Sequence, residues 1–293
     1  MTNGAAFTIM PVPKPAAGLS VSDEANLDAY LRRINYAGSI APTLETLDMV
    51  HRLHPAAIPF ENLDPLMERP VRLGLSDLEQ KLIVERRGGY CFEQNLLLKA
   101  VLETMDYGVA PLAAEVLWGE AEPFAESLPL THMLLVVDVG GVPYIADVGF
   151  GGQGPNAPLR LRAGHEQETP GGRYRLVGGD PLWQLESETA GVWRALYRFA
   201  LTPRTLEDYV AMNDVTQGMF RDNLSAARVD GGKRWALYNG RLNIHEAGAT
   251  ETRMLTNLLE IRDVLTNVFG IQLPETDKLD PALEKALRPG AND

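Results

Sequence analysis

The feature of this sequence that most restricts its fold is a run of apolar residues on both sides of two glycines, "HMLLVVDVGGVPYIADV", at positions 132–148. Two β-rich segments separated by two glycines are typical of a hairpin with a two-residue turn, because glycine readily adopts the positive φ angles that this turn requires. With Gly140 and Gly141 in the turn, Val139 lies opposite Val142. The sequence therefore predicts two antiparallel strands in one defined register.

This register has a consequence for two polar residues of the hairpin. Position 132 pairs with 149 and position 134 with 147, which makes His132 and Asp147 diagonal neighbours on one face, about 7–8 Å apart at the backbone. Their side chains can therefore meet. A turn two residues longer keeps this arrangement, whereas a three-residue turn places the two side chains on opposite faces.

The sequence before the hairpin has the periodicity of helices. Apolar residues at helical spacing begin after Ser22 and Asp23, either of which can cap the first helix. Three further segments with helical periodicity lie near 43–54, 76–86 and 91–106. We interpret residues 21–107 as a helical bundle, and residues 1–20, which are rich in Pro, Ala and Gly, as a loose tail.

From Gly108 the sequence changes to short β-rich runs separated by glycine, a pattern that predicts a small antiparallel barrel or sandwich. We assign residues 108–203 to this unit. Residues 204–293 contain a helix, three candidate strands and a long helix across 252–269, and we interpret them as a mixed α/β lid. The expected fold class is α+β, with an N-terminal helical bundle, a central antiparallel β-barrel and a C-terminal α/β lid.

Composition and charge restrict the partners of the protein. The 293 residues carry a net charge of −12 and have a pI near 5.0, which argues against nucleic acid or an anionic membrane as a main partner, because such binding needs clustered Lys and Arg. A small-molecule substrate is expected instead. The apolar runs are far shorter than a membrane span, the N-terminal residues do not match a signal peptide, and a single cysteine forms no intrachain disulfide, so we expect a cytoplasmic protein.

Cys91, the only cysteine of the chain, lies in "RRGGYCFEQN" at positions 86–95. At this residue a glycine-rich loop changes into a strongly helical run, and the positive end of a helix favours the reactive thiolate. The paired glycines allow close approach of the backbone, whereas the Glu, Gln and Asn that follow are poor neighbours for a buried apolar thiol. These features indicate a nucleophilic cysteine.

Three of the five histidines have no partner that the sequence identifies. His51 and His54 fall on a helix surface before a proline, and without a second cluster of ligands they do not indicate a metal site. His165 lies in a polar loop bounded by glycine. We therefore expect no metal in the protein.

A catalytic thiol needs a base, and a group that orients this base. His132 shares a hairpin face with Asp147, which can hold the imidazole and favour its charged form. Taken singly, each of these residues is more often structural, but a cysteine at a helix start together with a histidine and an aspartate on one hairpin face favours catalysis. We therefore predict a triad of Cys91, His132 and Asp147.

Four separated motifs follow one another along the chain. They are "IPFENLD" at 58–64, "RGGYCFEQN" at 87–95, "THMLLVV" at 131–137 and "ADVGFGG" at 146–152. In this order they resemble the motifs of the arylamine N-acetyltransferases, and the similarity runs from about residue 25 to residue 270. The resemblance implies a helical bundle, a β-barrel and an α/β lid, with the core of a transglutaminase-like cysteine enzyme.

The same resemblance implies an activity. Cys91 would take an acetyl group from acetyl-CoA and pass it to an aromatic amine or hydrazine in a ping-pong reaction of xenobiotic metabolism, with His132 moving the proton and Asp147 holding the imidazole. The backbone amide of Cys91 is a candidate donor to the oxyanion. The expected partners are coenzyme A and a small aromatic amine or hydrazine, and the expected protein is a monomer or a homodimer.

Further positions match residues with roles in the family. By this resemblance Phe60 lines the acceptor pocket, and Glu61 and Arg87 form a structural ion pair that supports the cysteine loop. The residues expected to bind coenzyme A are Gly149, Phe150, Gly151, Phe220 and His245. One segment departs from the family, because "VTQGMF" at 215–220 retains the phenylalanine of the usual Pro-x-Ser-x-Phe segment but not its proline and serine.

Three other functions are compatible with parts of the sequence. An amide synthase on the same scaffold would use a polyketide or another acyl thioester as donor, and the sequence alone does not discriminate this activity from acetylation. A cysteine hydrolase has less support, because the papain-like "CGSCW" signature is absent, although a His and an Asp on one hairpin resemble the transglutaminase arrangement. A non-catalytic binding protein would leave the set of Cys, His and Asp unexplained.

Overall fold

The structure, a computed structural model, describes residues 24–120 and 127–288. Within these ranges the chain forms eight α-helices, none of which is long and apolar enough to cross a membrane. They are α1 (Leu27–Arg33), α2 (Leu44–Ala57), α3 (Leu63–Leu66), α4 (Leu75–Glu79), α5 (Cys91–Thr104), α6 (Leu206–Met219), α7 (Leu258–Asp263) and α8 (Leu279–Ala286). Short π-helical segments continue α4 and α7, at Gln80–Val84 and Val264–Val268.

The start of the first helix differs from the expectation. The tail at residues 1–20 lies outside the described residues, and so do Ser22 and Asp23. The helix begins after Asn26, whose side chain accepts the backbone N–H of Ala29 at 3.1 Å and so satisfies an amide of the first turn. The other three predicted helical segments correspond to α2, to α4 with its π-helical continuation, and to α5.

The described ranges also contain thirteen strands, which form two sheets. The strands are β1 (Phe60–Glu61), β2 (Gly108–Val116), β3 (Leu130–Val139), β4 (Val142–Ala146), β5 (Leu159–Arg160), β6 (Glu166–Thr169), β7 (Gly172–Gly179), β8 (Leu182–Thr189), β9 (Val192–Pro203), β10 (Ser225–Asp230), β11 (Lys233–Tyr238), β12 (Arg241–Glu246) and β13 (Ala249–Met254). The larger sheet has the order β5, β4, β3, β2, β9, β8, β7, β6, and the smaller sheet has the order β1, β10, β11, β12, β13. Neighbouring strands are antiparallel in both sheets.

The larger sheet curves into a nearly closed antiparallel barrel. Its edge strands β5 and β6 are joined by the Gln167 side chain, which accepts a hydrogen bond from Arg160 N at 2.7 Å and donates one to Arg160 O at 3.0 Å. Buried aliphatic and aromatic side chains form the barrel core, among them Leu134, Tyr174 and Phe199. The predicted barrel is thus confirmed.

Strand β9 has no clear signal in the sequence, although it pairs with both β2 and β8. The register between β8 and β9 shifts between Leu185 and Glu186. Near this shift the consecutive residues Leu196 and Tyr197 of β9 are both fully buried. Because a bulge interrupts the alternation of buried and exposed residues, the period of two is lost at the centre of the strand.

The smaller sheet packs against α3, α7 and α8 through a second buried cluster of mainly aliphatic side chains. The predicted long helix across 252–269 is wrong at its start, because the chain there forms β13 and pairs with β12. The backbone groups along β12 are thereby satisfied by a strand. The helix begins only after Asn257, whose side chain accepts the N–H of Glu260 at 3.0 Å.

The hairpin of β3 and β4 has the register that the sequence predicts, but it is shorter than expected. Both glycines of the turn have positive φ angles, of 62° and 84°. The ladder runs as predicted as far as Leu135 opposite Ala146. There β4 ends, so the expected backbone pairs that include His132 and Asp147 do not form. The chain leaves the sheet directly before Asp147.

The expectation that His51 and His54 lie on a helix surface is wrong. Both side chains are fully buried, on the face of α2 that also carries Leu47 and Val50. These four positions have the spacing of a single helical face, so the periodicity of the sequence contained this signal. Buried histidines need hydrogen-bond partners, which the sequence does not reveal.

His54 connects three helices of the core. Its Nε2 lies 2.6 Å from Gln94 Oε1 in α5, and its Nδ1 lies 2.8 Å from the Tyr30 hydroxyl in α1. Because the Gln94 oxygen can only accept, Nε2 carries the proton and Nδ1 accepts from the tyrosine. Burial lowers the pKa of His54 to about 3, against the opposing effect of the Gln94 hydrogen bond.

Replacement of His54 by Gln should make the stability of the protein less dependent on pH. A histidine that is neutral when folded, with a pKa of about 6.5 when unfolded, stabilises the fold above pH 6.5, and this contribution is lost as the pH falls toward the folded pKa. Between pH 7 and pH 5 the wild-type protein should lose about 2 kcal/mol through His54. Thermal unfolding at both pH values measures this, and an equal loss in His54→Gln would contradict it.

Candidate active site

Cys91 is the first residue of α5, at the helix start that the sequence indicates. The side chain is buried, and its Sγ lies 3.5 Å from Thr131 O, to which the thiol donates. The N–H groups of a first helical turn have no carbonyl partner within the helix, so a partial positive charge lies at Cys91. This position favours an anionic sulfur.

Gly88 allows the loop before Cys91 to pack against the segment before β1. A Cβ atom at Gly88 would lie 2.1 Å from Pro59 O, so this position requires glycine. Gln94 strengthens the same contact, since its Nε2 donates to Pro59 O at 2.8 Å and to Gly89 O at 3.1 Å. The loop is thus fixed by bonds to its backbone carbonyls.

A buried cluster of charged side chains also supports the cysteine loop. Arg87 Nε donates to Glu61 Oε1 at 2.8 Å, so the ion pair that the family resemblance implies is present. Lys81 Nζ lies 2.6 Å from Asp64 Oδ2 and 2.7 Å from Glu93 Oε1. Each buried charge in this cluster therefore faces an opposite charge.

Glu93 joins the charge cluster to the start of α5. Its Oε2 accepts the backbone N–H of Tyr90 at 3.1 Å. Burial raises the pKa of Glu93 to about 7, and the positive charge of Lys81 opposes this rise. Lys81 lies in the π-helical segment after α4. No simple sequence period reveals such a distortion, which is why the sequence analysis missed Lys81.

His132 and Asp147 are in contact, as the hairpin register predicts. His132 Nε2 lies 2.8 Å from Asp147 Oδ2, and both side chains are buried. Because Nε2 is bound to the carboxylate, Nδ1 is the ring nitrogen left to face another group. Phe150 and Tyr197 flank the imidazole, each with its ring centroid 5.0 Å from that of His132.

Burial and mutual attraction set the charges of this pair. Burial lowers the pKa of His132, but the negative charge of Asp147 and the side chain of Cys91 outweigh burial and raise it to about 10. Burial raises the pKa of Asp147, but the charge of His132 and hydrogen bonds from Asn95 and Gly149 bring it below its ordinary value. At neutral pH the pair is therefore an imidazolium and a carboxylate.

The predicted nucleophile and base border a cavity of about 310 Å³. The predicted site residues that line it are Phe60, Cys91, His132, Gly149, Phe150, Gly151 and Phe220. Asp147 lies behind the imidazole and is 1% exposed. Val116, the last residue of β2, and Trp118, two residues after it, also line the cavity. No sequence pattern indicates them, because only tertiary packing decides which side chains at this strand end face the cavity.

His245 lies outside this cavity. It lines a neighbouring cavity of about 1010 Å³ together with Lys233 and Arg234, and its Nδ1 lies 2.8 Å from Thr250 Oγ1. Gln153 lines both cavities, so the two are adjacent. The structure thus places His245 beside the cavity of the triad residues rather than in it.

The segment that departs from the family pattern, at 215–220, forms the last turn of α6. Gln217 Oε1 accepts a backbone N–H from the loop after α3 at 2.9 Å, and Asn62 Nδ2 donates to Phe220 O at 3.0 Å. The Phe220 ring centroid is 6.1 Å from that of Phe60. Phe220 is therefore held at the cavity wall without the usual proline and serine.

The arrangement combines a candidate nucleophile, a candidate base and a carboxylate that orients this base. Such a set can perform acyl transfer through a covalent intermediate. In the part of the chain that the structure describes, no group of three or more His, Cys, Asp or Glu side chains is placed to hold a metal ion.

Gly149→Ala should lower the reactivity of Cys91. A Cβ atom at position 149 would lie 2.7 Å from Cys91 Cα and 2.7 Å from Asn95 Nδ2, so the backbone has to shift. The rate of alkylation by iodoacetamide, followed by intact mass, should fall about 10-fold or more. Gly179→Ala is the matched control, because a Cβ atom there meets nothing within 4 Å. Equal rates in the two variants would show that the packing at Gly149 is unimportant.

Known proteins with similar sequences are named arylamine N-acetyltransferases. The sequence profile of a family described as N-acetyltransferase matches residues 43–278. The arylamine N-acetyltransferase of Mycobacterium tuberculosis is 38% identical over 281 residues, which are 91% of this chain and 98% of that protein. The arylamine N-acetyltransferase of Escherichia coli is 38% identical over 252 residues, which are 84% of this chain and 88% of that protein.

A solved structure with the same fold gives a similar result. The arylamine N-acetyltransferase of Mycobacterium marinum, in complex with CoA, superposes with a TM-score of 0.86 at 38% identity and covers 90% of this chain and 100% of that chain. Sequence and structure are thus similar over nearly the whole length. This chain belongs to the arylamine N-acetyltransferase family.

Proposed function

We propose that the protein transfers an acetyl group from acetyl-CoA to small arylamines and arylhydrazines through an acetyl thioester on Cys91. The observation that carries this proposal is the 2.8 Å contact between His132 and Asp147, beside a thiol at the start of α5 and at a cavity with aromatic walls. Membership of the family supports the choice of donor and acceptor, because a related protein has been solved with CoA bound.

The first half of the proposed reaction loads the enzyme. In the resting enzyme the proton of the Cys91 thiol lies on Nδ1 of His132, and the sulfur attacks the carbonyl carbon of the acetyl thioester. The backbone N–H of Cys91, at the helix N-terminus, is a candidate donor to the oxyanion. The bond between the acetyl carbon and the sulfur of coenzyme A then breaks, and this sulfur takes the proton from His132.

The second half transfers the acetyl group to the acceptor. The amine nitrogen attacks the carbonyl carbon of acetyl-Cys91, and His132 accepts the proton that the nitrogen loses. The bond between the acetyl carbon and Cys91 Sγ breaks, so the amide product leaves and the enzyme returns to its starting form. Because coenzyme A leaves before the amine reacts, the proposed kinetics are ping-pong.

Asp147 makes His132 suited to both halves. With a pKa near 10, the ring of His132 is protonated on both nitrogens at neutral pH. The resulting positive charge favours the anionic form of the neighbouring Cys91 sulfur. The carboxylate of Asp147 also binds Nε2 of His132 at 2.8 Å. This contact turns the ring so that Nδ1 points away from the carboxylate. Charge and orientation thus come from the same contact.

We assign the acyl donor to the glycine-rich segment beside the thiol and to the adjacent cavity. The assigned residues are Gly149, Phe150, Gly151, Phe220 and His245. Gly149 packs on the backbone of Cys91, so the thioester can approach the sulfur along this segment. In the adjacent cavity Lys233 and Arg234 supply positive charge for the phosphates of coenzyme A, and His245 supplies a further hydrogen-bonding group.

We assign the acceptor to the aromatic part of the cavity that contains Cys91. Phe60 and Phe220 meet edge to face, and Trp118 lines the same space. A flat aromatic ring binds well between such side chains through offset and edge contacts. This wall favours an aromatic amine over an aliphatic one.

We also propose a division of the enzyme into three structural units and a cytoplasmic location. Residues 21–107, 108–203 and 204–293 would form a bundle, a barrel and a lid, with a nucleophile on a helix start and a His and an Asp from one hairpin as in transglutaminase-type cysteine enzymes. A reaction with small arylamines suits a cytoplasmic enzyme of xenobiotic metabolism.

Brief incubation with acetyl-CoA, without an amine, should add about 42 Da to the intact protein, the mass of one acetyl group. Addition of an arylamine such as 4-aminobenzoate should remove this mass, because the second half of the reaction then proceeds. Cys91→Ser is the control variant and should show neither gain nor turnover.

A different acyl donor would give another result in the same experiment. If Cys91 is alkylated by iodoacetamide but gains no acetyl group, acetyl-CoA is not the donor. Other acyl thioesters should then be tried, and an adduct with one of these would support an amide synthase on the same scaffold. Full turnover by Cys91→Ser would eliminate the proposed nucleophile.

Asp147→Asn should slow acetyl transfer by about 10³-fold or more, because a neutral amide neither raises the pKa of His132 nor holds its productive tautomer. Burial then lowers the pKa of His132, so the imidazole loses its charge at neutral pH. The rate of Cys91 alkylation should fall more at pH 6 than at pH 9, and measurements across this range test it.

Asp138→Asn is the matched control for this variant. Asp138 lies in the same hairpin, where its Oδ1 accepts the N–H of Gly141 at 3.1 Å. This substitution removes a charge from the hairpin without touching His132 and should leave both rates at the wild-type level. A wild-type rate in Asp147→Asn would show that the carboxylate does not act on His132.

A further inference from the structure

The side chain of Asn95 connects the three elements that carry the predicted triad. Asn95 is fully buried in α5, one turn after Cys91. Its Nδ2 donates to Met133 O at 2.7 Å and to Asp147 Oδ1 at 3.0 Å, and its Oδ1 accepts the N–H of Val148 at 3.1 Å. The amide thus reaches β3 and the segment after β4 at the same time.

The partners of Asn95 fix the orientation of its amide. The carboxylate of Asp147 and the carbonyl of Met133 can only accept, so both must face the NH₂ group. The backbone N–H of Val148 can only donate, so it must face the amide oxygen. Exchange of the amide nitrogen and oxygen would break all three bonds.

The hydrogen bonds of Asn95 lie where the backbone ladder between β3 and β4 has ended. Pairing of β3 with β4 ends at Leu135 and Ala146, so no backbone bond between these strands holds Asp147 beside His132. Met133 is the residue after His132, and Asn95 bonds to its carbonyl and to Asp147. One side chain therefore replaces the connection that the hairpin lacks.

Asn95 also controls the direction of the carboxylate. Asp147 Oδ1 accepts from Asn95 Nδ2 and, at 2.9 Å, from Gly149 N. With Oδ1 held by two donors, rotation of the carboxylate is restricted and Oδ2 points at His132 Nε2. His51 accepts the backbone N–H of Asp147 at 3.0 Å rather than bonding to its carboxylate, so it does not supply this restriction.

We propose that Asn95 is a positioning residue of the acetyl-transfer reaction, which acts through Asp147 to keep the imidazole of His132 directed at Cys91. This inference rests on the proposed function for the identity of the reaction. The predicted effect of Asn95 on the reactivity of the Cys91 thiol does not depend on acetyl-CoA. Asn95 itself touches neither the acyl donor nor the acceptor.

Asn95→Ala tests the proposal with two measurements. The kcat for acetyl transfer should fall by about 10²-fold, because a small displacement of the base is costly, whereas KM for donor and acceptor should change less than about 2-fold. The rate of Cys91 alkylation should fall more at pH 6 than at pH 9, as in Asp147→Asn. If Asn95→Ala does not fold, Asn95→Ser takes its place and the same results are expected.

A double-mutant cycle separates positioning from general stability. In an Asp147→Asn background, Asn95→Ala should lower the alkylation rate at pH 6 by less than about 3-fold, because its effect passes through a carboxylate that is already gone. An equal factor in both backgrounds would overturn the proposal. Because the cycle uses alkylation, it remains valid if acetyl-CoA is not the donor.

Thr104→Val is the control for a loss of stability in the same helix. Thr104 Oγ1 accepts the N–H of Ala25 at 3.2 Å and donates to Ala100 O at 2.9 Å, at the opposite end of α5 from Cys91. This variant should unfold at a lower temperature but retain the wild-type dependence of alkylation on pH. A shift of its pH profile as large as that of Asn95→Ala would also overturn the proposal.

Discussion

The buried carboxylate of Asp147 is the group on which the geometry of the site depends. A charge removed from water is stable only where hydrogen bonds and an opposite charge replace the solvent. Here Oδ1 accepts from Asn95 and Gly149, and Oδ2 faces His132. The donors come from α5, from β3 and from the segment after β4. The hydrogen bonds to the Asp147 carboxylate therefore fix the position of α5, which carries Cys91, relative to β3, which carries His132.

A second group of buried charges fixes the start of α5. Glu93 accepts from the backbone of Tyr90 and pairs with Lys81, so the turn that contains Cys91 is attached to the charge cluster below the loop. One turn later Asn95 attaches the same helix to Asp147. The thiol itself makes a weak contact, 3.5 Å long, to a carbonyl and interacts with His132. Its direction is thus set by its neighbours, and the sulfur stays free to react.

Local patterns predicted those parts of the fold and of the site that depend on neighbours in the sequence. The two glycines of the turn predict the register of β3 and β4, and this register places His132 and Asp147 near one another, although the ladder ends before both residues. Predictions were wrong where a distant partner decides the outcome. His51 and His54 are buried because α5 and the residue at 147 provide bonds for them, and the segment before Leu258 is a strand because β12 lies beside it.

The sequence by itself determined that a lone cysteine starts a helix, that a histidine and an aspartate share a hairpin, and that four motifs follow the order of one family. Only the tertiary structure decided how these parts are held. Asn95 and Asp147 are 52 positions apart in the chain, and the sites of Lys81 and His245 depend on a helical distortion and on the packing of two sheets. Such contacts follow from the satisfaction of buried polar groups across the whole core, and a local pattern of residues contains no record of them.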